Sequence, residues 1–241
     1  MSSSGVHSAC KRLGIPLRSQ KEGAAQGRTP IPDTLFASPL NANESWLPGL
    51  LLTDGCVHKN IVKLSITDED AVHLAFQVIG FGNIVKGPPH GLKTYSGLKI
   101  EGKLPVWTYT ACSIELVERL ENWGLVPRKT KTLAFPDPAA MSLPDFIRGL
   151  WDSYGCWYIQ SKRTGALGSH FGSASEQFIR ALHLLIARIT GSAATVRANK
   201  RGDFWQLQYA GAGAVALARW LYTSPNPMRL ARKLAIVKSF L

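Results

Sequence analysis

Acidic residues are scarce in this chain of 241 residues. The sequence has 16 Asp and Glu against 28 Lys and Arg, which gives a net charge of +12 and a pI near 9.8. From Gly155 onward only two acids remain, Glu176 and Asp203, against twelve basic residues. A basic excess of this size indicates a polyanionic partner, most often nucleic acid and less often a membrane surface.

Cysteine motifs and long apolar runs are also lacking. Cys10, Cys56, Cys112 and Cys156 form no CxxC pair, which argues against both a zinc site and a disulfide framework. We therefore expect buried thiols and an intracellular, reducing location, either a bacterial or phage-infected cytoplasm or an organelle. No apolar run is long enough to cross a bilayer, so we expect no membrane partner. The acid-free first 21 residues bear a faint likeness to an organelle transit peptide, although short basic arms are common.

One segment is present twice without a gap, as WLPGLLLTDGCV at 46–57 and FIRGLWDSYGCW at 146–157. The identical positions are Gly49 and Gly149, Leu50 and Leu150, Gly55 and Gly155, and Cys56 and Cys156. One acid has no counterpart, because Asp54 corresponds to Tyr154. An internal repeat of this kind indicates two copies of one structural unit.

Hydrophobic periodicity gives both copies the same order of elements, α-β-β-α-β-β-α. In the first copy, Ser45 is the expected N-cap of the repeat helix, with Pro48 in its first turn, and Thr67 is the expected cap of the second helix. We expect a basic extended arm over 1–44, a first half over 45–132, a Pro-rich linker over 133–144 and a second half over 145–241.

From residue 45 to 241 this pattern resembles the LAGLIDADG homing endonucleases and their intron-maturase relatives. The motif aligns with L-P-G-L-L-L-T-D-G at 47–55 and with I-R-G-L-W-D-S-Y-G at 147–155. The resemblance implies an α+β fold of two pseudo-symmetric αββαββα halves. Each half would carry a four-stranded antiparallel sheet of a DNA-binding saddle, and the halves would join at a two-helix seam.

The seam can be argued from the residues themselves. Two helices approach closely only where side chains are absent, so Gly49 and Gly149 fit the contact and Leu50 and Leu150 would pack around it. We expect all four to belong to the core.

We expect the catalytic residues at the end of the seam where the two repeat helices terminate. The resemblance implies that one carboxylate from each helix holds a divalent cation, Mg²⁺ or another, over a scissile phosphate. Asp54 fills this role in the first motif, with Ser153 as a further metal ligand, whereas the phenol of Tyr154 is a poor ligand for a hard cation. Asp152 lies about 200° round the helix and should not substitute.

The lysines that some family members carry just after the second strand are missing from this sequence. Asp68 and Ala174 stand near the places where some family members carry lysine. Lys129 and Lys233, which follow the last helix of each half, are the candidate replacements, and a solvated surface lysine is the alternative account of each.

Polar and basic residues on the strands, and in loops beside them such as the predicted loop with Lys93 and Lys99, are the candidates for DNA contacts, since such side chains read base edges in the major groove. They are Lys59, Lys63, Lys86, Lys93, Lys99, Gln160, Lys162, Arg163, Arg197, Asn199, Lys200, Arg201, Gln206 and Gln208. Gln206 and Gln208, at i and i+2, share one face of a strand. Lys200 and Arg201 would mainly touch phosphate.

Four functions stay open at this point. The first is a monomeric, single-chain homing endonuclease that cuts a long double-stranded DNA site. The second is an intron-splicing cofactor that clamps structured RNA. The third is a DNA-binding regulator without cleavage, and the fourth is a nickase. Asp54 favours retained chemistry, and Tyr154 argues against full double-strand cleavage.

Overall fold

A computed structural model describes residues 12–13, 31–91, 93–95, 98–160 and 164–241. The first repeat helix, α1 (Ala42–Asp54), begins before the predicted cap. Asn41 and Glu44 form a reciprocal capping box, in which the Glu44 amide donates to Asn41 Oδ1 at 2.9 Å and the Asn41 amide donates to Glu44 Oε2 at 3.2 Å. The prediction that Ser45 is the N-cap is therefore wrong, and Pro48 lies inside the helix rather than in its first turn.

The first half follows the predicted order and adds one hairpin. After α1 come β1 (Gly55–His58), β2 (Ile61–Ile66), α2 (Glu69–Ile79), β3 (Asn83–Gly87), β4 (Lys93–Tyr95), β5 (Leu98–Ile100), β6 (Val106–Cys112) and α3 (Ile114–Glu121). Strands β4 and β5 pair only with each other, in a segment that the sequence predicted to be a loop. The N-cap position of helix α2 is Asp68 rather than Thr67, and the Asp68 side chain makes no capping hydrogen bond.

The second half repeats the order and adds a helix. Its elements are α4 (Leu143–Ser153), β7 (Cys156–Ile159), β8 (Leu167–Ser173), α5 (Glu176–Thr190), β9 (Thr195–Ala198), β10 (Trp205–Ala210), α6 (Ala212–Tyr222) and α7 (Ala231–Val237). Short 3₁₀ turns occupy Lys129–Lys131, Pro138–Ala140 and Lys238–Phe240. The sequence did not predict α7.

Each half contains one four-stranded antiparallel sheet, in the order β1-β2-β6-β3 and β7-β8-β10-β9. One face of each sheet is covered by helices. In the first sheet Leu64 pairs with Tyr109 on this face, and in the second Leu207 pairs with Phe171. All four side chains are buried, so the opposite face of each sheet is the open one.

The core forms two clusters, one under each sheet. Trp46 and Leu47 of α1 belong to the first, and Phe146 and Trp151 of α4 belong to the second. Residues 31–40, within the segment assigned to the arm, contribute four buried side chains to the first cluster: Ile31, Leu35, Phe36 and Leu40. No helix in the described part of the chain has the length and apolarity to cross a membrane.

Candidate functional site

The two repeat helices touch backbone to backbone at the repeated glycine. A methyl group on Gly49 would fall inside the van der Waals radius of the Phe146 carbonyl oxygen, and one on Gly149 would do the same to the Trp46 carbonyl. Leu50 and Leu150 beside them are fully buried. The structure thus places the four predicted seam residues in the α1–α4 contact.

Four side chains meet where the two helices end. Thr53 Oγ1 and Ser153 Oγ, at the same position of the two repeats, are hydrogen-bonded to each other across the contact. Asp54 is half-buried and also hydrogen-bonds Ser153. Burial raises the pKa of Asp54 to about 6, although the Ser153 hydrogen bond opposes the shift. Tyr154, which occupies the equivalent position on α4, is 52% exposed.

Two buried lysines lie beneath this cluster. Lys129 Nζ donates to the Gly55 carbonyl at 2.5 Å, and Lys233 Nζ donates to the Gly155 carbonyl. Both are buried, so the account of them as solvated surface lysines is wrong. Burial lowers the pKa of both ammonium groups, and Arg232 lowers that of Lys233 further. Their positive charges in turn act to lower the pKa of Asp54.

The other acid of the second motif points away from the cluster. The carboxylate of Asp152 is fully buried and accepts from Trp46 Nε1 at 2.9 Å, from the Tyr222 hydroxyl at 3.1 Å and from the Leu230 amide at 3.2 Å. Burial raises its pKa to about 6. Asp152 therefore ties α1, α4 and α6 together and does not replace the missing acid.

A cross-half ion pair lies next to Asp54 and was not predicted. Arg232 of α7 donates through Nε and Nη2 to the two carboxylate oxygens of Asp68, the N-cap residue of α2. The Asp68 side chain is only 9% exposed, and its charge contributes to the raised pKa of Asp54. No sequence signal connects two residues that are 164 positions apart. The sequence does show, however, that Asp68 stands near a place where some family members carry lysine.

The open face of the first sheet carries Lys63. It pairs with Thr110 of β6 and with Cys56 of β1, and it is exposed. Lys59 is exposed in the turn between β1 and β2. Lys86 pairs with Trp107 and lies 5.2 Å from the centre of its ring, on the helix-covered side. The prediction of a groove contact for Lys86 is therefore wrong, because strand alternation turns it away from the open face.

The open face of the second sheet brings three predicted residues together. Gln206 pairs with Arg197, and Gln208 lies two residues further along the same strand face, between Thr195 and His170. The lone histidine of this row, His170, was not singled out from the sequence. Burial lowers its pKa, and so does the positive charge of Lys233.

The remaining candidates lie at the margins of the second sheet. Asn199 Nδ2 donates to Asp203 Oδ1 at 2.6 Å across the β9–β10 turn. The side-chain amide of Asn199 is therefore engaged in a contact within the protein. Lys200 and Arg201 are exposed at the tip of that turn, and Gln160 is exposed after β7.

The side chains of four DNA-contact candidates lie outside the described part of the structure. Lys162 and Arg163 lie outside the described residues. Lys93 and Lys99 belong to the separate β4–β5 hairpin, and their side chains are outside the described part.

Of the cysteines that the sequence predicted to be buried, Cys56 and Cys112 are exposed and Cys156 is half-buried. That prediction is wrong because alternation within β1, β6 and β7 turns these thiols to the open faces. Cys10 lies outside the described residues.

Aromatic rings on the second open face were also missed. A methyl group on Gly172 would strike the ring of Phe204, and one on Gly168 would strike the ring of Tyr158. Each ring thus lies over a bare stretch of β8. The alternation of Gly168 and Gly172 with larger residues was the available signal.

Within the described residues, no group of three or more His, Cys, Asp or Glu side chains could hold a metal ion by itself. The candidate donors at the cluster are the Asp54 carboxylate and the Ser153 hydroxyl. Any cation bound there would need further oxygen ligands from water or from a phosphate.

No protein-family model and no curated protein sequence matches the chain, whereas solved structures match its fold. The homing endonuclease I-WcaI, bound to its DNA recognition sequence, gives a TM-score of 0.58 over 94% of this chain and 96% of its own, at 12% identity. The LAGLIDADG homing endonuclease I-LtrWI, bound to target DNA, gives 0.50 over 83% and 88%, at 10% identity. Mesophilic variants of the homing endonuclease I-DmoI give 0.51 over 82% and 97%, at 14% identity. At such identities the likeness establishes the fold, and the predicted α+β architecture with a four-stranded antiparallel sheet in each half is confirmed.

Proposed function

We propose that this chain, whose fold is that of the LAGLIDADG homing endonucleases, binds a long double-stranded DNA site as a monomer and hydrolyses it on one strand. One observation carries the proposal. The Asp54 carboxylate stands at the end of the first repeat helix near two buried lysines, whereas an exposed Tyr154 occupies the matching position of the second repeat helix. One half-site is therefore equipped for metal-dependent hydrolysis and the other is not.

The donor set suits a cation that is shared with the substrate. Mg²⁺ is commonly held by one or two carboxylates together with water and substrate phosphate, and Asp54 with Ser153 would supply the protein's part. A cation there would stabilise the charge that develops on the phosphate and would acidify an attacking water.

The chain's own residues would order the site around that phosphate. Lys129 and Lys233 bind the carbonyls of Gly55 and Gly155, where α1 leads into β1 and α4 leads into β7, which holds the ends of both helices in place. Their ammonium groups favour the ionised form of Asp54, the form able to bind a cation.

The open faces support DNA as the substrate. Lys63 on one sheet and Arg197, Gln206 and Gln208 on the other point to the solvent side, where they could read base edges in a major groove. Lys200 and Arg201 at the turn tip would bind phosphates. A chain of charge +12 makes this binding strongly salt-dependent.

Tyr154 also supports a second candidate, a DNA-binding regulator that does not cleave. This protein would use the same open faces without hydrolysis. An intron-splicing cofactor would instead bind structured RNA. A selection of bound duplex DNA separates it from the endonuclease and from the regulator.

The test starts with a selection of bound sequences from random duplex DNA, in Mg²⁺ and again in EDTA. We expect recovery of one long site of about 20 base pairs, which the wild type nicks in Mg²⁺. Asp54→Asn should abolish nicking, and Tyr154→Asp should create or increase double-strand cutting. Asp152→Asn is the matched control, since it changes an acid of the second motif that points into the core.

Other outcomes would decide against parts of the proposal. Nicking that survives Asp54→Asn would remove Asp54 from the site. A recovered site that is never cut in Mg²⁺, even by Tyr154→Asp, would favour the regulator. Failure to enrich any duplex would reject sequence-specific DNA binding.

A further inference from the structure

A cavity of about 190 Å³ opens beside Tyr154, on the second-half side of the seam. Thr53, Lys129 and Tyr154 line it from the end of the seam, and Ser173, Ala174 and Phe204 line it from the sheet. One water molecule occupies about 30 Å³ in the liquid, so the cavity has room for roughly six, which is space for one planar ring system and not for a base pair.

The cavity lies at the C-terminal end of β8, where Gly172 belongs to the open face of the second sheet and Phe171 to its covered face. Phe204 precedes β10 in the same alternation as Gln206 and Gln208, and its ring covers Gly172 on the open face. The two sheets differ here. In the first half, Val106 stands at the position of Phe204 and Ser65 at the position of Gly172. The second half therefore has an aromatic ring over a glycine where the first half has a valine and a serine.

The lining has the chemistry of a site for a flat heterocycle. The buried side chains of Leu52, Leu133 and Phe171 give it an apolar lining, and Tyr154 and Phe204 add two aromatic rings. Thr53, Lys129 and Ser173 add hydroxyl groups and an ammonium group at the edge. Lys129 Nζ carries three donors and spends one on the Gly55 carbonyl.

An anion does not fit this cavity as well. A phosphate would lose its hydration against the apolar lining, while the ammonium group of Lys129 is already buried against a carbonyl. A nucleobase has apolar faces for the two rings and polar edges for the hydroxyl groups, which is the pairing used by pockets that receive unstacked bases.

We propose that this cavity receives a single unpaired nucleobase of the bound nucleic acid, held against the rings of Tyr154 and Phe204. The inference rests on the nucleic-acid binding of the proposed function and is independent of cleavage. Tyr154 then acts as one wall of a base pocket in place of the second acid. Base stacking on aromatic side chains tolerates different bases, so the pocket would select an unstacked base rather than one base identity.

The experiment compares two duplexes of about 30 base pairs and identical sequence, one fully paired and one with a single bulged 2-aminopurine. Affinity is measured by fluorescence anisotropy of an end label at low salt, and stacking by quenching of the 2-aminopurine emission. We expect the wild type to bind the bulged duplex about tenfold more tightly and to quench its emission.

Two variants test the pocket directly. Ala174→Leu fills the cavity and Phe204→Ala removes one wall, and each should abolish the preference and the quenching without weakening binding to the paired duplex. Val85→Leu is the control, because it enlarges an exposed side chain on the open face of the first sheet, away from the cavity. Circular dichroism spectra confirm that all variants fold.

The outcomes separate this inference from the proposed function. Binding to the paired duplex without any preference for the bulge overturns the base pocket alone. A preference that persists in both Ala174→Leu and Phe204→Ala overturns it as well. Failure to bind either duplex overturns the proposed function and the pocket together.

Discussion

At the scale of single residues, the repeated glycine has the tightest steric requirement in the described chain. Any side chain on Gly149 would meet the Trp46 carbonyl, the Leu50 amide and the Gly49 α-carbon, and no rotamer change can relieve a clash with backbone. We expect Gly149→Ala to lower the free energy of unfolding by about 3 kcal/mol or more, measured by urea denaturation.

Gly213→Ala provides the matched control. Gly213 lies in helix α6, and the nearest atom to an added methyl group would be 3.8 Å away on Ser192. Because alanine is the better helix former, this variant should be neutral or more stable by up to about 1 kcal/mol. Equal losses at the two positions would mean that the seam contact does not limit stability.

Asp54 leads to a prediction about stability and pH. Burial raises its pKa in the folded state to about 6, above its value near 3.9 in the unfolded chain. The folded protein therefore binds this proton more tightly, and the ionised group opposes folding above pH 6. In EDTA, Asp54→Asn should raise the unfolding free energy by about 1 kcal/mol at pH 7.5, a value reduced for partial exposure.

This gain should disappear as the pH falls from 6 towards 4, because the wild-type carboxyl becomes protonated and the cost of its charge is lost. Urea denaturation at several pH values measures the difference. A gain that is constant with pH would show that the Asp54 charge does not oppose folding.

At the scale of elements, the two faces of a strand separate groove contacts from other surface charges. Lys63 of β2 lies on the open face, whereas Lys86 of β3 lies beside Trp107 on the covered face. We expect Lys63→Ala to reduce the slope of log K against log salt for duplex DNA by about 1, since one positive charge that displaces counterions from the DNA is lost. Lys86→Ala should leave the slope unchanged, and equal effects would contradict the assignment of faces.

The same elements show what the sequence can and cannot specify. The repeat and the hydrophobic periods determine the order of helices and strands, and both sheets follow from it. The strand NIVKG has apolar residues at Ile84 and at Val85, on opposite faces, so its pattern does not reveal which side Lys86 occupies. Helix α7 spans only seven residues, too few for periodicity to identify.

The site was predictable only in part, for the same reason. Asp54 and Tyr154 follow from aligning one repeat with the other. The burial of Lys129 and Lys233, the ion pair of Asp68 with Arg232, and the cavity beside Tyr154 all depend on long-range packing. Such contacts have no local sequence signature.

At the scale of the whole molecule, Asp68 and Arg232 link the two halves close to the catalytic candidates. Asp68 is the N-cap residue of α2 in the first half, and Arg232 is the neighbour of Lys233 in α7 of the second. Replacing either by alanine should destabilise the protein by about 1 kcal/mol, because the arginine is half exposed. The exchange Asp68→Arg with Arg232→Asp should recover part of that loss.

A double-mutant cycle in urea denaturation measures this coupling. A coupling energy near zero would show that α7 is held in place by its apolar contacts alone.

The bare backbone contact at Gly49 and Gly149 also constrains how such a protein can evolve. Interfaces built from side chains can drift, since a larger residue on one side is compensated by a smaller one opposite. Here nothing smaller than glycine exists, so a larger residue at either position cannot be compensated by a smaller one opposite. New recognition would therefore arise through substitutions on the sheets rather than at this contact.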